Sequence, residues 1–201
     1  MPSPRRTSSV TQLEQAEATH ALPLRAPRDR SLAVKHALDR VGAVIALIVV
    51  APVLLVAAAA VKLAAGGPVI MRERRVARDG RSFAMLALPP LPYLRRFAID
   101  QLPQLVNVVR GEMSFVGPRA ERPEFVELFG WNLRRLDQPR RVRPGITGWS
   151  QVRGVTEEAP LAERVRWDDW YVENWSLWLD LKIVLMTIRD VVRGAAAASG
   201  G

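Results

Sequence analysis

The chain has 201 residues, nearly half of them apolar, and a net charge of +9 in which Lys contributes only at positions 35, 62 and 182. That length holds one ordinary domain plus a tail or membrane element. With no cysteine, disulfides, thiolate zinc sites and cysteine nucleophiles are excluded, while the basic balance admits nucleic acid, anionic lipid headgroups or phosphorylated small molecules as partners.

Residues 1–33 are rich in Ser, Thr, Pro, Arg and Ala with little apolar periodicity, which predicts a disordered basic arm. Val41 to Val61, "VGAVIALIVVAPVLLVAAAAV", then carries no charged residue. As a straight helix it would measure about 31 Å, enough to cross the hydrocarbon core of a bilayer. A secretory signal fits poorly, because a long charged leader that includes Asp39 precedes the apolar run. A simple span is the default from length. Two features favour instead a re-entrant helix over residues 34–65 that turns back at Pro52. Proline in mid-run removes a backbone hydrogen bond and bends a helix. The flanks are also similarly basic: Arg25, Arg28, Arg30, Lys35 and Arg40 before, Lys62, Arg72, Arg74, Arg75, Arg78 and Arg81 after. A spanning helix usually shows cationic asymmetry.

From Gly66 to Arg193 the texture is that of a soluble domain. "GGPVIMRERRVARDGRSFAML" predicts a short strand, an Asp79-Gly80 turn and a second strand. "LALPPLPYLRR" reads as a proline-stiffened connection. "IDQLPQLVNVVRG" predicts a helix with Asp100 as N-cap, Pro103 in its first turn and Gly111 as its stop. A second helix is expected in "RPEFVELFGWNLRRLDQ", a broken loop in "RVRPGITGWSQVRG", and one or two amphipathic helices thereafter. Leu177, Leu181, Val184, Ile188 and Val192 form one stripe there. The nearby Trp167, Trp170, Trp175 and Trp178 suit either a lipid interface or ordinary core packing. Residues 194–201 read as a disordered tail. The predicted class is α+β and mainly helical, with a short β-hairpin and interfacial helices beside the membrane element.

No Gly-x-Gly-x-x-Gly, P-loop, Gly-x-Ser-x-Gly or paired-His spacing is present, and His20 and His36 read as solvated. Chemistry therefore falls to carboxylates, arginines and a metal. Asp100 stands at a predicted helix start behind Arg95 and Arg96, a setting that favours its ionised form. Position alone leaves two readings open: a plain helix cap, and a carboxylate that attacks phosphorus or ligates magnesium.

"SFVGPRAERPEF", "RVRPGITGWSQV" and "YVENWSLWLDLKI", taken with "RRFAIDQLPQLVNVVRGEMSFVGPR" and "KHALDRVGAVIALIVVAPV", closely resemble the bacterial sugar transferases. These are monotopic phosphoglycosyl transferases that use polyprenyl phosphate, and the resemblance runs from about Lys35 to Arg193. It implies a re-entrant membrane helix hinged at Pro52 and a catalytic domain on the cytoplasmic face of the bacterial inner membrane. It also implies a UDP-sugar, undecaprenyl phosphate and membrane lipids as partners, Mg2+ as cofactor, and the initiation of exopolysaccharide or glycoconjugate synthesis. The implied catalytic and metal-binding pair is Asp100 with Gln101. Arg95, Arg119 and Arg143 would bind substrate phosphates, with Pro118, Pro144, Gly145 and Gln151 shaping the site. No nucleic-acid recognition motif accompanies the charge, and a homodimer is left open.

The sequence departs from the family pattern at several places. Gln101 stands where the family usually has Glu. "FAMLALPPLPYLRR" runs straight to the catalytic segment where a loop of some two dozen residues is usual. Ala120 replaces the second proline of Pro-Arg-Pro, and Arg153-Gly154-Val155 replaces Asn-Gly-Arg. These changes keep a second reading open, a catalytically impaired paralogue acting as a membrane-bound partner or regulator.

Overall fold

The computed structural model describes residues 29–77, 80–124, 142–155 and 159–197. The expected basic arm falls almost wholly outside them, and so does most of the helix expected from Arg122 to Gln138. Helix α1 runs over Asp29–Ala65, beginning five residues before the expected boundary and continuing on both sides of Pro52. It is long and apolar enough to cross a membrane by length and composition.

Unlike a helix that departs from its domain, α1 packs along nearly its whole length. Near its start Leu32 joins a core with Val116, Trp149, Tyr171 and Ile183. Its middle, at Ala43, Leu47 and Val50, packs on Leu105, Val108 and Met113. Toward its end Ala57 and Val61 pack on Leu88 and Leu94. Gly42 lies against the edge of the Phe115 ring, where a larger residue would force that ring aside. The other face keeps Val41, Ile45, Ile48, Val49, Leu55 and Val56 exposed.

The hairpin forms as expected. β1 (Met71–Val76) and β2 (Ser82–Ala87) pair antiparallel with Val76 opposite Ser82. The Gly80 N–H closes the turn on the Ala77 carbonyl at 2.9 Å, with Gly80 at φ +81°. The proline-stiffened connection turns out partly helical, as α2 (Pro92–Arg96); its proline is tolerated in the first turn.

The helix expected from Asp100 is divided. A 3₁₀ turn covers Ile99–Gln101, and α3 covers Gln104–Arg110 with Pro103 as its N-cap residue. Pro103 has no N–H to donate back to the Ile99 carbonyl, which accepts the Leu102 N–H instead at 3.2 Å. Asp100 is therefore not the N-cap of α3. Gly111 does end that helix, in the left-handed conformation that favours glycine.

"RPGITGWSQV" is more regular than its prolines and glycines suggest. Gly145–Thr147 forms β4, which pairs parallel with β3 (Ser114–Val116), and Trp149–Val152 forms the one-turn helix α4. Two helices follow, α5 (Leu161–Glu173) and α6 (Leu177–Ala197). On α6, Leu179 and Ile183 face the core. Of the expected stripe, Leu177, Leu181, Ile188 and Val192 are exposed, together with Trp178 and Leu185, and only Val184 packs inward. The tryptophans divide as well: Trp149 is core and stacks on Trp170 with ring centroids 4.9 Å apart, whereas Trp178 is open.

Candidate active site

Asp100 is placed by three neighbours. Its own carbonyl accepts the Leu88 N–H at 2.9 Å, so the short connection after β2 brings the end of the hairpin directly onto the 3₁₀ turn. Ala98, just before that turn, adopts φ 53°, a left-handed conformation costing a non-glycine residue about 1–2 kcal/mol. Behind Asp100, α3 is latched to the hairpin by Asn107, which is fully buried. Asn107 Oδ1 accepts the Leu86 N–H at 3.0 Å, and its Nδ2 donates to the Ala84 carbonyl at 2.8 Å and to Glu112 Oε2 at 2.7 Å. Nothing in a motif search singles out Asn107. The available signal was a poor helix former set between the core residues Leu105 and Val108.

Burial raises the Asp100 carboxyl above its ordinary value, outweighing its backbone N–H, Arg95 and the Gln101 N–H, which all pull it down. The expectation of a simply favoured carboxylate is thus corrected: desolvation exceeds the help from the cation. Asp100 Oδ1 is buried without a hydrogen-bond partner, whereas Gln101 is exposed. An orphaned anionic oxygen beside an amide fits a divalent cation that takes its remaining ligands from substrate oxygens and water, the usual habit of magnesium.

The two proline turns meet. β3 and β4 come so close that a Cβ on Gly117, Gly145 or Gly148 would collide with backbone of the opposite segment. The Gly145 N–H donates to the Pro118 carbonyl at 3.0 Å, and the Gly117 N–H to the Thr147 carbonyl at 3.0 Å. Asp168 on α5 ties both turns down: Oδ2 accepts the Arg119 N–H at 3.0 Å and Oδ1 accepts the Ser150 hydroxyl at 3.0 Å. Gln151 donates to the Ile146 carbonyl at 3.3 Å, which fixes it within the same turn. Pro118, Pro144, Gly145 and Gln151 are therefore brought together as a unit. Asp168, missed in the sequence, is what holds them.

The three candidate phosphate arginines have different charged neighbours. Arg95 is the guanidinium that acts on Asp100. Arg119 lies in the field of Glu121, which is buried with Arg164 at 3.1 Å and whose carboxyl is raised by that burial. Arg143 sits with Arg40 and Arg81, and its guanidinium is lowered from its usual value by burial and then by those like charges.

A buried polar network anchors the start of α1. Lys35 Nζ lies 2.6 Å from Asp180 Oδ2 and 3.5 Å from Asp39 Oδ2. Asp180 also accepts the Tyr171 hydroxyl at 2.6 Å and Trp175 Nε1 at 3.2 Å, and Asp39 accepts the Ser114 hydroxyl.

The family model described as "Bacterial sugar transferase" matches residues 30–88 and 92–194, with its break at the shortened connection after β2. The chain is 35% identical to a UDP-glucose:undecaprenyl-phosphate glucose-1-phosphate transferase of Xanthomonas campestris, over 80% of this chain and 39% of that protein. It is 33% identical to a UDP-N-acetylgalactosamine-undecaprenyl-phosphate N-acetylgalactosaminephosphotransferase of Aeromonas hydrophila, over 82% and 45% respectively. With the exopolysaccharide production protein ExoY of Sinorhizobium fredii it shares 32% identity over 78% of this chain and 84% of that one. The chain thus spans less than half of the first two relatives and most of the third.

Proposed function

The chain belongs to the bacterial sugar transferase family, and from that premise we propose that it is a phosphoglycosyl transferase that moves a sugar 1-phosphate from a UDP-sugar to undecaprenyl phosphate. The observation that carries this reading is the Asp100 carboxylate: half-buried, one oxygen buried without a partner among the described residues, flanked by Arg95 and held by a strained turn. In the first step an Asp100 oxygen attacks the β-phosphorus of the UDP-sugar. The bond from that phosphorus to the bridging oxygen breaks, UMP departs, and an acyl phosphate remains, the mixed anhydride of the Asp100 carboxylate and the sugar phosphate. In the second step a phosphate oxygen of undecaprenyl phosphate attacks the same phosphorus. The bond to Asp100 breaks, which regenerates the carboxylate and releases undecaprenyl-diphospho-sugar.

Partial burial favours this use, since a poorly solvated carboxylate is the better nucleophile and its lost hydration is replaced by fixed donors and Arg95. Asp100 and the Gln101 amide oxygen would hold Mg2+, which would neutralise charge on the diphosphate. Arg95 stabilises negative charge at the reacting phosphate. Arg119 and Arg143 are proposed to reach other parts of the substrates from their separate positions.

The membrane seat is part of the proposal. A re-entrant α1 on the cytoplasmic face of the inner membrane is supported by matched basic flanks and by packing of both its ends on one domain. The exposed apolar faces of α1 and α6 would then share the lipid. Purified protein supplied with UDP-glucose or UDP-N-acetylgalactosamine, undecaprenyl phosphate and Mg2+ is expected to release UMP, and Asp100→Asn to release none. A folded protein silent with both nucleotides, and with a wider panel of UDP-sugars, refutes the assignment. The impaired-paralogue reading gains no support from the relatives, which are named as transferases.

A further inference from the structure

We propose that His36, Arg40 and Arg143 form a second anion site, away from Asp100, which takes a lipid phosphate at the membrane surface. The Arg40 and Arg143 guanidinium groups both lie over Gly111: a Cβ there would strike Arg40 and come into tight contact with Arg143 Nη1 at 3.3 Å. Gly111 ends α3, and Asp100 precedes that helix. Seven residues of helix at 1.5 Å each set the two positions about 10 Å apart along α3. His36 belongs to the same cluster: Arg143, Lys35 and Arg40 all act on its imidazole.

Two cations side by side at a helix C-terminus draw some support from its carbonyl ends. That support leaves donors over. Among the described residues, Arg143 Nη1 and His36 Nε2 are each buried without a hydrogen-bond partner. Burial, then Arg143, Lys35 and Arg40, push the His36 pKa down to about 4. Of the other charged groups here, Lys35 is taken up by Asp180 and Asp39, and Asp39 also accepts from Ser114. The cluster therefore holds more positive charge and more open donors than its own carboxylates answer. A phosphate satisfies both, because guanidinium groups bind it through paired N–H donors.

The source of the phosphate follows from position. His36 and Arg40 stand within two turns before the uncharged run that opens at Val41, with Leu38, Val41 and Val44 exposed beside them. Val44, one turn on from Arg40 on the same helix face, sets exposed apolar surface beside an anion held there, which suits a lipid headgroup and not free phosphate. The site shares Arg143 with the residues proposed above to reach the substrates, but its test reads lipid binding at His36 and not the reaction at Asp100.

The test reads the His36 imidazole by NMR in the full-length protein in neutral detergent, with His20 as internal control. Dihexanoyl phosphatidate, undecaprenyl phosphate and inorganic phosphate are titrated separately, because a nearby phosphate raises the His36 pKa. A rise of about one unit or more is expected with at least one lipid phosphate, at concentrations about tenfold below those needed for inorganic phosphate. Phosphatidate as effective as undecaprenyl phosphate marks a general headgroup site, and undecaprenyl phosphate alone marks one for the polyprenyl chain; both support the proposal. Arg40→Gln should weaken the response about tenfold and Arg40→Lys less, while Arg72→Gln and Asp100→Asn should leave it intact. No His36 response to either lipid, equal potency of inorganic phosphate, or an undiminished response in folded Arg40→Gln overturns it.

Discussion

Replacing Asn107 by alanine tests how the hairpin positions the candidate nucleophile. Asn107 is fully buried and makes three hydrogen bonds of 2.7–3.0 Å, two of them to β2 backbone. Truncation strands the Leu86 N–H in a buried environment, at about 1–3 kcal/mol, and removes two further bonds worth about 1 kcal/mol each after water replaces them. The expected loss is about 3–5 kcal/mol, concentrated where α3 meets β2. Because β2 leads to the Leu88 N–H that holds the Asp100 carbonyl, the loosening should reach the site. A displacement of the reacting group by 1 Å costs about 100-fold in turnover. Thermal unfolding in detergent gives the stability change, and hydrogen exchange of the β2 peptide locates it. Asn107→Asp serves as the shape-conserving control: it keeps the acceptor for Leu86 but sets a carboxylate against Glu112, so it too should be destabilised. If Asn107→Ala melts within about 1 kcal/mol of the parent, with β2 exchange and UMP release unchanged, the latch does not hold the site.

Four further outcomes are expected. Gln101→Glu should raise turnover at limiting Mg2+, because a second carboxylate tightens a divalent ion; an unchanged Mg2+ dependence would show that position 101 does not touch the metal. The raised Asp100 carboxyl must ionise to attack, so kcat/KM should fall as pH drops through a midpoint above the usual carboxylate value. Arg95→Gln should move that midpoint higher still, and a downward move would contradict the electrostatics. Ala98→Gly should relieve the left-handed backbone and gain stability of about 1 kcal/mol, whereas Ala98→Val should lose at least as much, both read by thermal unfolding. Lys35→Met leaves Asp39 and Asp180 as uncompensated buried carboxylates. It should cost about 3–5 kcal/mol and lower the yield of folded protein, measured as the fraction surviving gel filtration.

What could be read in advance was whatever local chemistry decides. The helix over the charge-free run, the hairpin turning at Gly80, and Gly111 as a stop each depend on nearest neighbours, and each was found as expected. The break before α3 was legible in principle, since Pro103 cannot complete an α-helical ladder, yet Asp100 matched the pattern of a cap closely enough to hide it. "RPGITGWSQV" reads as loop because the reason for its glycines lies in another segment: they admit the backbone of β3. The same holds for the site. Asp100 and Arg95 are close in sequence and were placed together. The bonds of Asn107 to β2, of Asp168 to its two turns and of Lys35 to Asp180 reach across 18 to 145 residues, a range at which spacing carries no signal. The family resemblance put Arg143 with the phosphate arginines but could not show that Arg40 and His36 would be its neighbours.

Asp100 is the proposed nucleophile, carrying the sugar phosphate covalently as an acyl phosphate. The direct measurement is intact-mass and peptide mass spectrometry of protein mixed with UDP-sugar and Mg2+, without polyprenyl phosphate, and quenched in acid. The predicted result is a sugar-phosphate adduct on the peptide containing Asp100, absent from Asp100→Asn and discharged when undecaprenyl phosphate is added before the quench. UMP release with no adduct on that peptide, or an adduct that persists in Asp100→Asn, would contradict it.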